Sequence, residues 1–344
     1  MDRMWNDALE VAQSCVRQAP MLVIGSGASL AYGIPGMPQL KDHLKSMRMP
    51  CATGTPEHDS WEALKMKLDT TDLESALTEI RLSPGLTAEI VKVTWDYLAP
   101  HDIRVLREFL NDRDLFPLAR FIRHYFNSTH TELHVLTPNY DRLIEYATDA
   151  AGFVHYTGFM YGHLRERAAG YEPRIHNGAK ALRTVKVWKV HGSFDWFRDP
   201  AGNVIGLPPM EIRPDNLHPV IVTPGIEKYR QAHDEPFLSI KQGSDHALKT
   251  ARSYLCIGYG FNDEHIQTTL VEQCKTRHVP LVLITKAISH TAKAFLSSGK
   301  CSQYLALEEG PDGTIAYTHL HPSGFEVKGQ AYWRLDQFLN LVLA

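Results

Sequence analysis

The sequence predicts an α/β protein: a parallel sheet with helices on both faces, plus an inserted all-helical lobe. Three observations carry this. Short, continuous apolar runs such as Met21-Leu22-Val23-Ile24 and Pro280-Leu281-Val282-Leu283-Ile284-Thr285 have the length and character of parallel strands buried on both faces. Stretches of helical period alternate with these runs. Between positions 50 and 130 the helical period persists with no strand pattern.

Taken in order, residues 2–19 place Trp5, Leu9, Ala12 and Val16 at helical spacing, and Pro20 ends that helix. Met21–Ile24 is the first strand. A glycine-rich turn, Gly25-Ser26-Gly27-Ala28-Ser29, follows at once, and a helical stretch begins after Pro38. Leu73, Leu77 and Ile80, then Ile103, Leu106 and Leu110, mark helices of the insertion. The α/β pattern resumes with a strand at Leu133-His134-Val135-Leu136-Thr137, a helix from about Tyr140 to Ala151 and a strand near 153–157. A loop rich in Gly, Arg and His runs to about 183. Strands recur at 184–190, 219–223, 254–257 and 280–285, with helices between the last three. The tail from about 302 carries short strands and a last amphipathic helix through Leu335, Phe338, Leu339 and Val342. The expected division is 1–49 with 131–344 as the core and its C-terminal tail, and 50–130 as the helical insertion.

The bulk numbers fit a chain that buries its own core. It has 344 residues, 44% hydrophobic and 22% charged, as soluble globular proteins do. A formal net charge of −3 gives no global attraction to phosphate backbones, so nucleic-acid binding is not expected from it. Lys180, Arg183, Lys186 and Lys189 form a basic run that reads as a solvated strand face. The five cysteines (Cys15, Cys51, Cys256, Cys274 and Cys301) contain no Cys-x-x-Cys pair, which argues against a disulfide framework and a structural zinc site. No basic-then-apolar leader and no membrane-length apolar run is visible, so a cytoplasmic protein without membrane contact is expected.

Four segments carry chemistry, each at the carboxyl end of an expected strand, where open α/β sheets bind ligands. Gly25–Ser29 would let backbone approach a pyrophosphate. Leu30 stands where a dehydrogenase fingerprint needs a third glycine, so hydride transfer is poorly supported; a tight turn without ligand is the other reading. Asn139 and Asp141, in Thr137-Pro138-Asn139-Tyr140-Asp141, offer a neutral donor–acceptor pair and a fixed carboxylate, or else a helix cap. His191, in Lys189-Val190-His191-Gly192-Ser193, is a base near neutral pH or a structural histidine. Gly258 and Gly260, in Cys256-Ile257-Gly258-Tyr259-Gly260-Phe261-Asn262-Asp263, admit a ribose or adenine, or only shape the turn.

In this order, the four segments and the Gly33-Ile34-Pro35 stretch resemble the sirtuin superfamily, with its Rossmann-like core. They are closer still to the sirtuin-like NAD+ hydrolases of bacterial antiphage defence. The resemblance implies that Gly25, Ser26, Gly27, Ala28 and Ser29 hold the pyrophosphate and that Pro35 also binds the dinucleotide. It assigns Asn139 to the nicotinamide ribose or the attacking water, Asp141 to the carboxamide, His191 to the base, and Gly258, Tyr259 and Gly260 to the adenosine side. Two departures matter. Deacylating sirtuins carry an acidic–aromatic–basic triplet after Gly-Ile-Pro, whereas Gly36-Met37-Pro38 follows here. They also hold a zinc on four cysteines after the catalytic His-Gly, and no cysteine lies between Gly192 and Cys256. The expectation is therefore a metal-free NAD+ glycohydrolase using NAD+ as substrate, an effector of antiphage defence. The alternatives are an NAD+-dependent deacylase or ADP-ribosyl transferase, and a non-catalytic NAD+ or ADP-ribose sensor. The resemblance further implies a homo-oligomer and a partner, such as an ATPase of DNA-translocase type or another activator.

Overall fold

The computed structural model describes residues 2–49, 52–168, 172–223 and 234–343; Cys51 and the 169–171 part of the Gly/Arg/His loop lie outside them. The helices are α1 (Asp2–Arg17), α2 (Ser26–Leu30), α3 (Met37–Ser46), α4 (Pro56–Thr70), α5 (Leu73–Glu79), α6 (Pro84–Asn111), α7 (Pro117–Phe126), α8 (Leu143–Ala151), α9 (Phe237–Thr250), α10 (Glu264–Thr276), α11 (His290–Ser297) and α12 (Leu335–Val342). The main-sheet strands are β1 (Met21–Ile24), β2 (Glu132–Thr137), β3 (Val154–Tyr156), β7 (Thr184–Lys189), β11 (Tyr254–Ile257), β12 (Leu281–Ile284), β13 (Tyr304–Gly310), β14 (Gly313–Thr318) and β15 (Phe325–Lys328). Their order is β15-β14-β13-β12-β11-β1-β2-β7-β3. All pairings from β13 to β3 are parallel; β14 and β15 extend one edge antiparallel.

Alternate residues of the central strand serve opposite faces, and both faces are covered. Leu22 and Ile24 pack with α1, α7, α8 and α12, while Met21 and Val23 pack with α9, α10 and α11. Every side chain of β1, β11 and β12 is buried, which is why these strands read as unbroken apolar runs. Cys15, Cys256, Cys274 and Cys301 are free thiols buried among these apolar layers. Among the described residues, no helix is long and apolar enough to cross a membrane.

A separate apolar cluster joins α3, α4, α5 and the first part of α6, with Trp61 and Trp95 at its centre. Side-chain caps start these helices: Thr55 accepts from the His58 amide at 3.3 Å, Asp72 from Ser75 at 2.9 Å and Ser83 from Leu86 at 3.2 Å. The long α6 reaches from this cluster into the sheet layer, where Val105 and Phe109 pack with α7.

Two local expectations change. The 219–223 strand is β10 (His218–Ile221), and it does not join the parallel sheet. It pairs antiparallel with β8 (Gly192–Arg198) in a second sheet ordered β10-β8-β9-β4, where β9 is Val204–Gly206 and β4 Arg165–Glu166. The strand β8 escaped the sequence reading because Ser193, Phe194, Asp195, Trp196 and Phe197 are all buried, so apolar and polar residues do not alternate in the usual half-buried way. The basic run is solvated only in its first half: Lys180 and Arg183 are exposed, whereas Lys186 and Lys189 are buried. Lys186 bridges Glu132 (2.8 Å) and Glu172 (3.0 Å), and Lys189 is fully buried.

Candidate active site

The strand order reverses at β1, whose neighbours are β2 on one side and β11 on the other. Such a reversal opens a crevice at the carboxyl edge. The turns after β1, β2, β7 and β11 all project there, as the registers Leu136↔Val23, Thr137↔Lys189 and Ile24↔Ile257 require.

The glycines of two turns have a packing reason. A Cβ on Gly25 would meet the Gly258 carbonyl at 2.5 Å, and one on Gly27 the Gly258 Cα at 2.9 Å. Gly258 itself has φ +58°, and its Cβ would strike the Ala28 nitrogen at 2.3 Å. The Gly25 amide donates to the Ile257 carbonyl at 2.9 Å and the Gly27 amide to Gly258 at 3.0 Å. The turn thus forms the short helix α2 against its neighbour, with two of its amides already engaged. Further along, Phe261 is held at φ +57°, an uncommon conformation for a bulky residue.

Above these turns lies a cavity of about 370 Å³. Gly25, Ser26, Ser29 and Pro35 line it from the first turn, Asn139 and Asp141 from the second, His191 from the third, and Tyr259, Gly260, Asn262 and Asp263 from the fourth. Of the residues singled out in the sequence, Gly27, Ala28 and Gly258 are not in its wall; they hold the two turns together behind it. The helical cluster contributes Asp72, Leu73, Glu74 and Leu98, none of which the sequence points to as a site residue.

A short polar chain fixes the second turn. Asn139 Nδ2 donates to Ser29 Oγ at 2.9 Å, and Ser29 Oγ donates to Asp141 Oδ2 at 2.6 Å. The Asn139 amide donates to Thr137 Oγ1 at 3.1 Å, and that hydroxyl donates to the Ile24 carbonyl at 2.8 Å. Burial pushes the Asp141 carboxyl above the usual range, against the opposing pull of Lys189 and the Ser29 hydrogen bond. Tyr140 Oη donates to the Val222 carbonyl at 2.6 Å, which ties the same turn to the second sheet.

His191 Nε2 lies 2.9 Å from Asp263 Oδ2. Asp263 Oδ1 also accepts from the Ile266 amide at 3.3 Å, so the carboxylate is anchored at the start of α10 and faces the imidazole. A carboxylate facing one ring nitrogen favours the charged form of a histidine base. Asp263 stood at the end of the fourth segment without a role. Seventy-two positions separate it from His191, and only the β7–β2–β1–β11 order brings them together.

Asp72, Glu74, Asp141 and Asp263 line the cavity, and among the described lining residues there is no Lys or Arg. Arg165, Arg167 and Arg174, from the stretch between β3 and β7, are engaged elsewhere. They pair with Asp195, Glu235 and Glu132 respectively. His191 also borders a second cavity of about 40 Å³, walled chiefly by Leu136, Val190, Val222, Phe237, Leu248 and Ile266.

No curated protein sequence matches the chain. Solved structures that resemble it include one described as the structural basis for the mechanism and regulation of Sir2 enzymes (13% identity, TM-score 0.41, covering 83% of this chain and 88% of that one). A Sir2 homologue–NAD complex has 13% identity and a TM-score of 0.40, covering 79% of each chain. A mutant Sir2 homologue in complex with ADP ribose has 11% identity and a TM-score of 0.42, covering 81% and 87%. The family model of the SIR2-like domain matches residues 133–295, the stretch that contains Asn139, Asp141, His191 and the Gly258–Asp263 turn.

Proposed function

We propose that the protein is an NAD+ hydrolase that cleaves the nicotinamide–ribose bond to give nicotinamide and ADP-ribose. The observation that carries this reading is that Asn139 and His191, from different strands, line one cavity, each held by its own partner, Ser29 and Asp263. The leaving nicotinamide departs as a neutral group from a cationic linkage, so positive charge collects on the ribose as the bond stretches. A wall carrying Asp72, Glu74, Asp141 and Asp263 favours that charge. Water attacks the anomeric carbon, the bonding pair leaves with the nicotinamide nitrogen, and the water's proton passes to His191. Asn139 orients the ribose or the water without adding a charge. Asp141 faces the carboxamide. Ser26 meets the diphosphate in place of a side-chain cation, and Gly25, Pro35, Tyr259 and Gly260 complete the nucleotide wall.

On the strength of the motif resemblance, we further read the chain as an antiphage-defence effector. It would deplete NAD+ when activated, and be controlled through homo-oligomerisation and a partner such as a DNA-translocating ATPase. A second reading, an NAD+-dependent deacylase or ADP-ribosyl transferase, has one observation in its favour: the small apolar cavity beside His191 suits an aliphatic group. Incubating the purified protein with NAD+, with and without an acylated peptide, tests both. Nicotinamide and ADP-ribose formed at equal rates in the two samples are expected; release that needs the peptide would overturn the hydrolase reading. Thermal stabilisation by NAD+ without turnover, even with candidate activators, would make the chain a sensor.

A further inference from the structure

Lys189 is the last residue of β7, two before His191, and its side chain is 0% exposed. A buried ammonium is costly unless it is paired and hydrogen-bonded. Its Nζ donates to the backbone carbonyl of Asp141 and, at 3.1 Å, to Glu145 Oε1 on α8. Neutralising Glu145 accounts for one of these bonds. The other goes to an uncharged acceptor in the turn that presents Asn139. The same lysine is thus bonded to one half of the site while its own strand carries the other.

We propose that Lys189 is a positioning residue: by holding the Asp141 carbonyl, it fixes the Asn139–Asp141 turn relative to His191 across the cavity. The inference rests on the hydrolase reading for its kinetic consequence and on the geometry alone for its structural one. Other charged groups face this point. Glu145 lies on α8, Asp102 on α6 adds to the burial that raises the Asp141 carboxyl, and Asp195 lies on β8. Burial opposes ionisation of Asp195, but Arg165, Arg142 and Lys189 together hold its carboxyl down to about 2. Charge compensation is therefore shared among several groups, whereas among the described residues Lys189 is the side-chain donor to the Asp141 carbonyl.

The test uses Lys189→Met and the double variant Glu145→Met with Lys189→Met. The double variant removes the buried charge pair together, a replacement that is often neutral for stability, and it carries the test should the single variant unfold. With kcat and KM for NAD+ as readouts, a folded variant loses about 10²-fold in kcat, as a small misplacement of reacting groups does, while KM stays near the wild-type value. Hydrogen exchange of residues 137–143 becomes faster in the same samples. A folded double variant with wild-type kcat and unchanged protection of that turn overturns the proposal and leaves Lys189 only as the counter-charge of Glu145. A wild type that stays inactive even with candidate activators would instead overturn the hydrolase reading, and the exchange measurement would still decide the positioning role.

Discussion

An asparagine and an aspartate just ahead of a helix usually cap it, and Asp141 does accept from the Leu143 amide at 3.3 Å. Its other oxygen binds Ser29, and Asn139 caps nothing; its amide reaches across to the β1 turn. The helix-cap reading of this turn therefore holds for Asp141, while Asn139 is bound to the β1 turn instead. Residue types were legible at Asn139 and His191 because each sits at the end of an apolar strand. Their partners were not: Ser29 is 110 positions from Asn139, and no local pattern pairs them. Replacing either candidate should stop the reaction and spare the fold. His191→Ala should lower kcat by about 10²–10⁴-fold, the range for a lost general base. Asn139→Ala should lower it by about 10²–10³-fold, the range for a lost oriented donor. Both should remain folded, which a cooperative thermal melt checks. Full turnover in both purified variants would remove these residues from the mechanism.

Among the elements, those with an unbroken apolar run were read closely: 254–257 coincides with β11, and 280–285 brackets β12. Helix α8 starts about three residues later than the spacing predicts, because Tyr140, Asp141 and Arg142 spend hydrogen bonds on distant partners instead of a helical turn. Arg142 is the clearest case. Its backbone amide donates to Asp102 Oδ1 at 2.7 Å and its Nε to Oδ2 at 2.9 Å, while Tyr146 Oη donates to the same Oδ2 at 2.7 Å. Asp102, from the middle of α6, is fully buried. This joint locks α6 to the turn that carries Asn139. Asp102→Ala leaves a buried guanidinium without its counter-charge and should cost about 3–5 kcal/mol. Denaturant unfolding checks this; an unchanged midpoint and slope would mean that the joint adds nothing.

For the whole molecule, the main sheet and its strand-end turns were legible in the residue pattern, but the closure of the site was not. The reversal at β1 depends on pairing between segments more than 200 positions apart, such as Val23 with Cys256. The helical region carried no marked chemistry in the sequence, yet Asp72, Leu73, Glu74 and Leu98 complete the cavity wall. Asp72 reads locally as a helix cap, and it is one; its second role exists only once α5 is folded over the turns. The second sheet was hidden for the same reason, since β8 and β10 take their meaning from each other.

The most direct test is a crystal structure of the His191→Ala variant with NAD+ bound. The nicotinamide ribose should lie beside Asn139 and the position vacated by the imidazole, with the rest of the nucleotide between Ser26 and Tyr259. A dinucleotide bound outside this cavity, or one whose nicotinamide ribose does not reach Asn139, would contradict the account.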